Sequence, residues 1–167
     1  AGIVRGGHLY PFAARAQIKD GALAGRGLEL VWVDDATDAF FLHIQGSGRV
    51  RLADGDEMRI GYSGANGHAY TAIGRVLIER GEIEPEHVSM QAIRRWLASH
   101  PDRAQALMAE NASFIFFREI AGEGPIGSQG VGLTPGRSLA VDPAFVPMGL
   151  PVWLDVTDPI DADAPLR

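Results

Sequence analysis

Arg49-Val50-Arg51-Leu52-Ala53-Asp54-Gly55-Asp56-Glu57-Met58-Arg59-Ile60-Gly61-Tyr62 reads as one β-hairpin. Polar and apolar residues alternate along Arg49–Leu52, Asp54-Gly55 is a tight-turn dipeptide, and the chain returns through Glu57–Tyr62. Upstream, Leu28-Glu29-Leu30-Val31-Trp32-Val33 and Ala39-Phe40-Phe41-Leu42-His43-Ile44 carry the same strand signal and flank the acidic turn Asp34-Asp35-Ala36-Thr37-Asp38. They predict a second hairpin.

Downstream the period changes to that of a helix. Ala69, Ile73, Val76 and Leu77 share one helical face from Gly67 onward, and Gly81 is the stop. Ser89 is placed to cap a helix carrying Met90, Ile93, Trp96 and Leu97, and Pro101 suits the first turn of another carrying Ala104, Leu107 and Met108. Phe114-Ile115-Phe116-Phe117 is a buried-strand candidate. The stretch from Gly122 to Gly136, dense in Gly and Pro, predicts a boundary between domains 1–122 and 123–167. Beyond it Ser138–Val141 and Pro151–Val156 read as strands, followed by an acidic stretch at 158–163. The fold class expected is mainly β with a few short helices, and 21 Gly and 10 Pro supply the turns.

Composition narrows the function. A formal charge of −6 with no basic cluster along the chain argues against nucleic acid. No apolar run approaches the roughly 18 to 20 residues that span a bilayer, so the chain as given is expected to be soluble. Zero cysteines exclude disulfides and thiol catalysis. His8, His43, His68, His87 and His100 fall into no metal-binding spacing, so neither metal nor cofactor is expected.

Two segments carry candidate chemistry. Gln45-Gly46-Ser47-Gly48 presents an amide and a hydroxyl at the end of the expected strand; such groups match sugar hydroxyls without charge, and the alternative is a plain glycine-rich turn. Tyr62-Ser63-Gly64-Ala65-Asn66-Gly67-His68-Ala69-Tyr70 gathers two tyrosines, a serine, an asparagine and a histidine at a strand-to-helix junction. Aromatic faces stack on pyranose rings and amides bind their rims. The alternative has Asn66 or Gly67 capping the helix and the tyrosines packed in the core. His68 lacks a serine nucleophile or triad and reads by itself as structural. The cluster Asp34, Asp35 and Asp38 reads as a solvated turn, and Asp142 before Pro143 as a strand-ending one.

Taken in order, Phe40–Gly48, Tyr62–Tyr70, Met90–Trp96 and Asn111–Phe117 resemble the membrane-bound lytic murein transglycosylase A family over nearly the whole chain. Leu133–Pro143 resembles the opening of that family's three-aspartate, double-psi β-barrel domain, with Asp142 at its first aspartate. The resemblance implies a β-barrel-like substrate (insert) domain at 1–122 and an incomplete barrel at 123–167. Peptidoglycan glycan strands would lie in a groove touched by Gln45, Gly46, Ser47, Gly48, Tyr62, Asn66, His68 and Tyr70. The implied reaction is non-hydrolytic cleavage of the β-1,4 bond from N-acetylmuramic acid to N-acetylglucosamine, leaving a 1,6-anhydro end. One aspartate would serve as acid and base; it is expected in a segment beyond Arg167, with Asp142 in support. A glycan-binding piece without chemistry of its own is the alternative. The family implies a periplasmic, outer-membrane-anchored protein, any lipid anchor lying outside this chain. One departure is visible: Tyr10-Pro11-Phe12-Ala13-Ala14-Arg15-Ala16-Gln17-Ile18 stretches an expected Tyr-Pro-x-Arg-Ala-Glu-Ile and has Gln17 in place of Glu. No contact is assigned to it.

Overall fold

The computed structural model describes residues 1–122 and 124–156. The chain divides into two compact units, Ala1–Ala121 and Gly122–Arg167. The first holds five strands in two antiparallel sheets and five short α-helices. Strands β1 (Gly2–Arg5) and β2 (His8–Pro11) form a two-stranded ribbon; β3 (Ser47–Arg51), β4 (Glu57–Ala65) and β5 (Ile115–Glu119) form a three-stranded sheet with β4 central. The helices are α1 (Arg15–Gln17), α2 (Ala36–Gln45), α3 (Ile73–Glu79), α4 (Met90–Ser99) and α5 (Pro101–Ala109). No helix of the described residues is long and apolar enough to cross a membrane.

The β3–β4 hairpin forms as its alternation dictates, with Ser47 opposite Gly61 and Arg51 opposite Glu57. On the far side β4 pairs with β5, Tyr62 facing Phe117, and a bulge at Ser63 shifts the register so that Gly64 faces Phe116. Packed with this sheet is an apolar core of helical residues, among them Phe40 and Phe41 of α2, Leu77 of α3, Trp96 and Leu97 of α4, and Leu107 of α5. Ser89 Oγ accepts the Ala92 N–H at 3.1 Å and caps α4, and Pro101 opens α5.

The upstream hairpin does not form. Ala36–Gln45 is a helix, because Asp35 accepts the N–H groups of Thr37 (2.6 Å) and Asp38 (3.0 Å) and so caps a first turn where the sequence pattern implied a loop. Short apolar runs such as Ala39–Ile44 do not distinguish a buried helix from a strand. With that partner helical, Leu28–Val33 has no strand to pair with and lies outside both sheets, Trp32 exposed. Gln45-Gly46-Ser47-Gly48 therefore follows a helix. Gly46 ends it in the left-handed region at φ 77, and its N–H donates to Leu42 O at 2.9 Å. Gly46→Ala, which meets no neighbour, should lower stability by about 1 kcal/mol from backbone strain alone; an unchanged melting temperature would remove Gly46 from this role. The helix expected from Gly67 begins at Ile73.

In the second unit the described residues carry one isolated bridge, Ile126 to Gly132, and no ladder. Ser138–Val141 and Pro151–Val156 are not strands: nothing in the described residues pairs with them, and isolated strands do not persist in water. The acidic stretch at 158–163 lies outside the described residues.

Candidate functional site

Three polar side chains are buried in the first unit, Arg15, Asn66 and Asn111, and they meet in one hydrogen-bonded knot. Asn66 is fully buried, and its amide fills every bonding position it has. Nδ2 donates to Ala13 O (3.0 Å) and Ala112 O (2.8 Å); Oδ1 accepts from the Phe114 N–H (2.9 Å) and the His68 N–H (3.4 Å). Its backbone donates to Phe114 O and accepts from Phe12 N. Arg15 donates from Nε to Asn111 O (2.9 Å) and from Nη2 to Ser113 O (2.6 Å), with its guanidinium over the rings of Phe40 and Phe114. Burial pulls this guanidinium down to about 10, leaving it charged at neutral pH. Asn111 Oδ1 accepts the N–H groups of Thr71 and Ser113.

Two histidines border the knot. One ring nitrogen of His68, Nε2, donates to Phe12 O at 2.7 Å, which fixes the tautomer. His43 Nδ1 accepts the Ile115 N–H at 3.2 Å, and its ring packs on Phe114 and Phe117. Burial, reinforced by the nearby Arg15 charge, holds His43 down at about 4, so it is neutral at physiological pH.

Gln45 and Ser47 are exposed; Ser47 stands opposite Gly61, so Tyr62, the next residue and itself 57% exposed, is directed to the other face of the sheet. Gly48 packs inward, since a Cβ there would lie 2.5 Å from Leu42 Cδ1. Tyr70, 56% exposed, borders an apolar hollow of about 560 Å³ whose walls include Ile44, one residue before Gln45, and Met90. Gln45, Ser47, Tyr62 and Tyr70 are thus exposed amide, hydroxyl and aromatic groups, with Ser47 and Tyr62 on opposite faces of the sheet. Asn66 bonds backbone on every side and has no exposed surface to offer a ligand, while His68, half-buried, bonds Phe12 O through Nε2. Asp142, in the other unit, is exposed; its Oδ1 accepts the Ala144 N–H at 2.9 Å in a local turn.

Sequence reasoning passed over Arg15, His43 and Asn111. The one signal available for Arg15 was its place in the segment from Tyr10 to Ile18, whose altered spacing left it unassigned. Asn111 stood within a resemblance stretch with no pattern marking it as buried.

The family described as the MltA specific insert domain matches residues 1–118. This chain belongs to the MltA family. It is 43% identical over 144 residues to the membrane-bound lytic murein transglycosylase A of Vibrio cholerae, covering 85% of this chain and 39% of that protein. The crystal structure of the membrane-bound lytic murein transglycosylase from Agrobacterium tumefaciens superposes with a TM-score of 0.77 at 45% identity, covering 84% of this chain and 39% of that one. E. coli MltA with bound chitohexaose gives a TM-score of 0.74 at 35% identity, covering 87% of this chain and 47% of that one. The chain spans about two fifths of the length of the curated MltA relatives it matches.

Proposed function

We propose that this chain supplies the glycan-gripping part of a lytic murein transglycosylase. The observation that carries the reading is a fold shared with an MltA whose structure holds chitohexaose, a fold that leaves Gln45, Ser47, Tyr62 and Tyr70 exposed. Uncharged donors and acceptors match sugar hydroxyls, while the tyrosine faces suit the apolar side of a pyranose. Gly46 and Gly48 shape the turn from within. Asn66, fully buried, enters the site by holding the junction between Tyr62 and Tyr70, and His68, half-buried there with Nε2 on Phe12 O, keeps its place among the groove residues.

The reaction proposed is cleavage of the β-1,4 bond from N-acetylmuramic acid to N-acetylglucosamine with the muramyl 6-hydroxyl as nucleophile. The substrate supplies its own nucleophile, so a single carboxyl can protonate the leaving oxygen and then take the hydroxyl proton. That carboxyl must be held above the usual range, and Glu82 is held below it by the Arg103 guanidinium and the Trp96 indole. The family resemblance places the acid, an aspartate, outside the described residues. The resemblance of Leu133–Pro143 supports reading residues 123–167 as the first part of the three-aspartate barrel, with Asp142 in a supporting place. Relatives named membrane-bound support a cell-envelope location, here proposed as periplasmic and tethered to the outer membrane.

Titrating the 167-residue chain with chitohexaose tests the site. Ser47→Ala and Tyr62→Ala should each weaken binding, Tyr62→Ala by roughly fivefold for the loss of about 1 kcal/mol of stacking, with little change in melting temperature. Unchanged affinity in both variants would refute the assignment of these side chains to glycan. Release of anhydro-muropeptides from sacculi by this chain alone would refute the placement of the acid.

A further inference from the structure

Asn66-Gly67 is the kind of dipeptide in which an asparagine amide is most open to attack by the backbone nitrogen that follows it, because glycine sets no side chain in the way. The fold nevertheless requires both residues. Asn66 fills a buried position with four side-chain hydrogen bonds, to Ala13 O and Ala112 O from Nδ2 and from the N–H groups of His68 and Phe114 to Oδ1. Gly67 stands in the left-handed region at φ 85, where an added Cβ would also meet the Pro11 Cα at 3.4 Å. The requirements that build the junction therefore write a labile pair into it.

The folded state blocks each step of the reaction this pair invites. Attack by the Gly67 nitrogen needs the Asn66 carboxamide to turn towards it, and four hydrogen bonds hold that group fixed. Departure of ammonia needs Nδ2 released from two carbonyls, and hydrolysis needs water at a side chain that is 0% exposed. None of these obstacles survives unfolding. Asn111, the chain's other asparagine, is equally buried but is followed by Ala112, whose Cβ hinders the same attack in the open chain.

We infer that Asn66-Gly67 is a deamidation site closed by folding and opened by unfolding, and that its product does not refold. In the open chain the Gly67 nitrogen bonds to Asn66 Cγ and gives up its proton while Nδ2 leaves as ammonia; the cyclic imide then takes up one water and opens to aspartate or isoaspartate. Aspartate sets acceptor oxygens against Ala13 O and Ala112 O and puts a charge where a neutral amide was buried. The Arg15 guanidinium of the same knot is engaged on Asn111 O and Ser113 O. Isoaspartate routes the chain through Cβ and Cγ, so the carbonyl that accepts the Phe12 N–H becomes a free carboxylate and the path to Gly67 lengthens. Either product turns reversible unfolding into one-way loss of the junction between Tyr62 and Tyr70.

The test follows loss of the Asn66 amide by peptide mapping and mass spectrometry in the folded 167-residue chain and in the same chain held in denaturant, both at mildly alkaline pH. Folding should slow the loss by about a hundredfold or more, since a stable domain keeps few of its chains open at any moment; weaker protection overturns the closing of the site. In denaturant Asn66 should be lost faster than Asn111, and equal loss overturns the part given to Gly67. Once the denaturant is diluted away, the chains that regain the native melting transition should carry Asn66 unmodified. Aspartate or isoaspartate at position 66 in that refolded fraction overturns the one-way step. Asn66→Asp, prepared directly, should melt well below the parent or show no transition, and a variant that melts with the parent overturns the same step.

Discussion

Asn66→Ala should destabilise the protein by about 3 kcal/mol or more. The substitution deletes four hydrogen bonds at a fully buried position and leaves Ala13 O and the Phe114 N–H without their side-chain partner. Three separate chain segments are joined there: the approach to α1, the end of β4 and the lead into β5. Denaturant unfolding reads the effect directly, and glycan affinity measured well below the melting temperature should change little. A variant that melts like the parent but fails to bind chitohexaose would return Asn66 to the groove. Ser47→Ala is the matching control, because its exposed hydroxyl has nothing buried to orphan.

The second large effect is acid lability centred on His43. Its folded value is about 4 against 6.5 for the free side chain, so the unfolded chain takes up a proton over a pH range in which the folded one refuses it. Stability from this group is fully present above pH 6.5 and falls as the pH drops towards 4, by about 2–3 kcal/mol in total. Protonation would place a second cation beside Arg15 and put a proton on Nδ1, where the Ile115 N–H already points. His43→Gln should flatten the fall in unfolding free energy between pH 6.5 and 4. An equally steep fall in the variant would move the acid sensitivity elsewhere. Loosening of the Ile115 contact also bears on the site, since β5 is the strand that sets Tyr62 in register opposite Phe117.

Both effects arise in the buried polar knot and the histidine beside it. The exposed side chains cost little to change, while the buried amides, guanidinium and imidazole are expensive to disturb. Substitutions in Tyr62–Tyr70 should therefore divide sharply, the tyrosines affecting binding and Asn66 affecting folding.

By itself the sequence determined what local rules decide. The Asp54-Gly55 turn between alternating strands specified the β3–β4 hairpin, Ser89 and Pro101 marked the starts of α4 and α5, and the ordered motifs carried the family resemblance. Only the tertiary structure decided that Ala39–Ile44 is helical, since a short apolar run fits a helix or a strand equally well until its neighbours are known. It also decided that Asn66 is fully buried with every bonding position of its amide filled. Such assignments depend on partners far away in the chain, as when Arg15 reaches Ser113 across 98 positions, and no local periodicity records them.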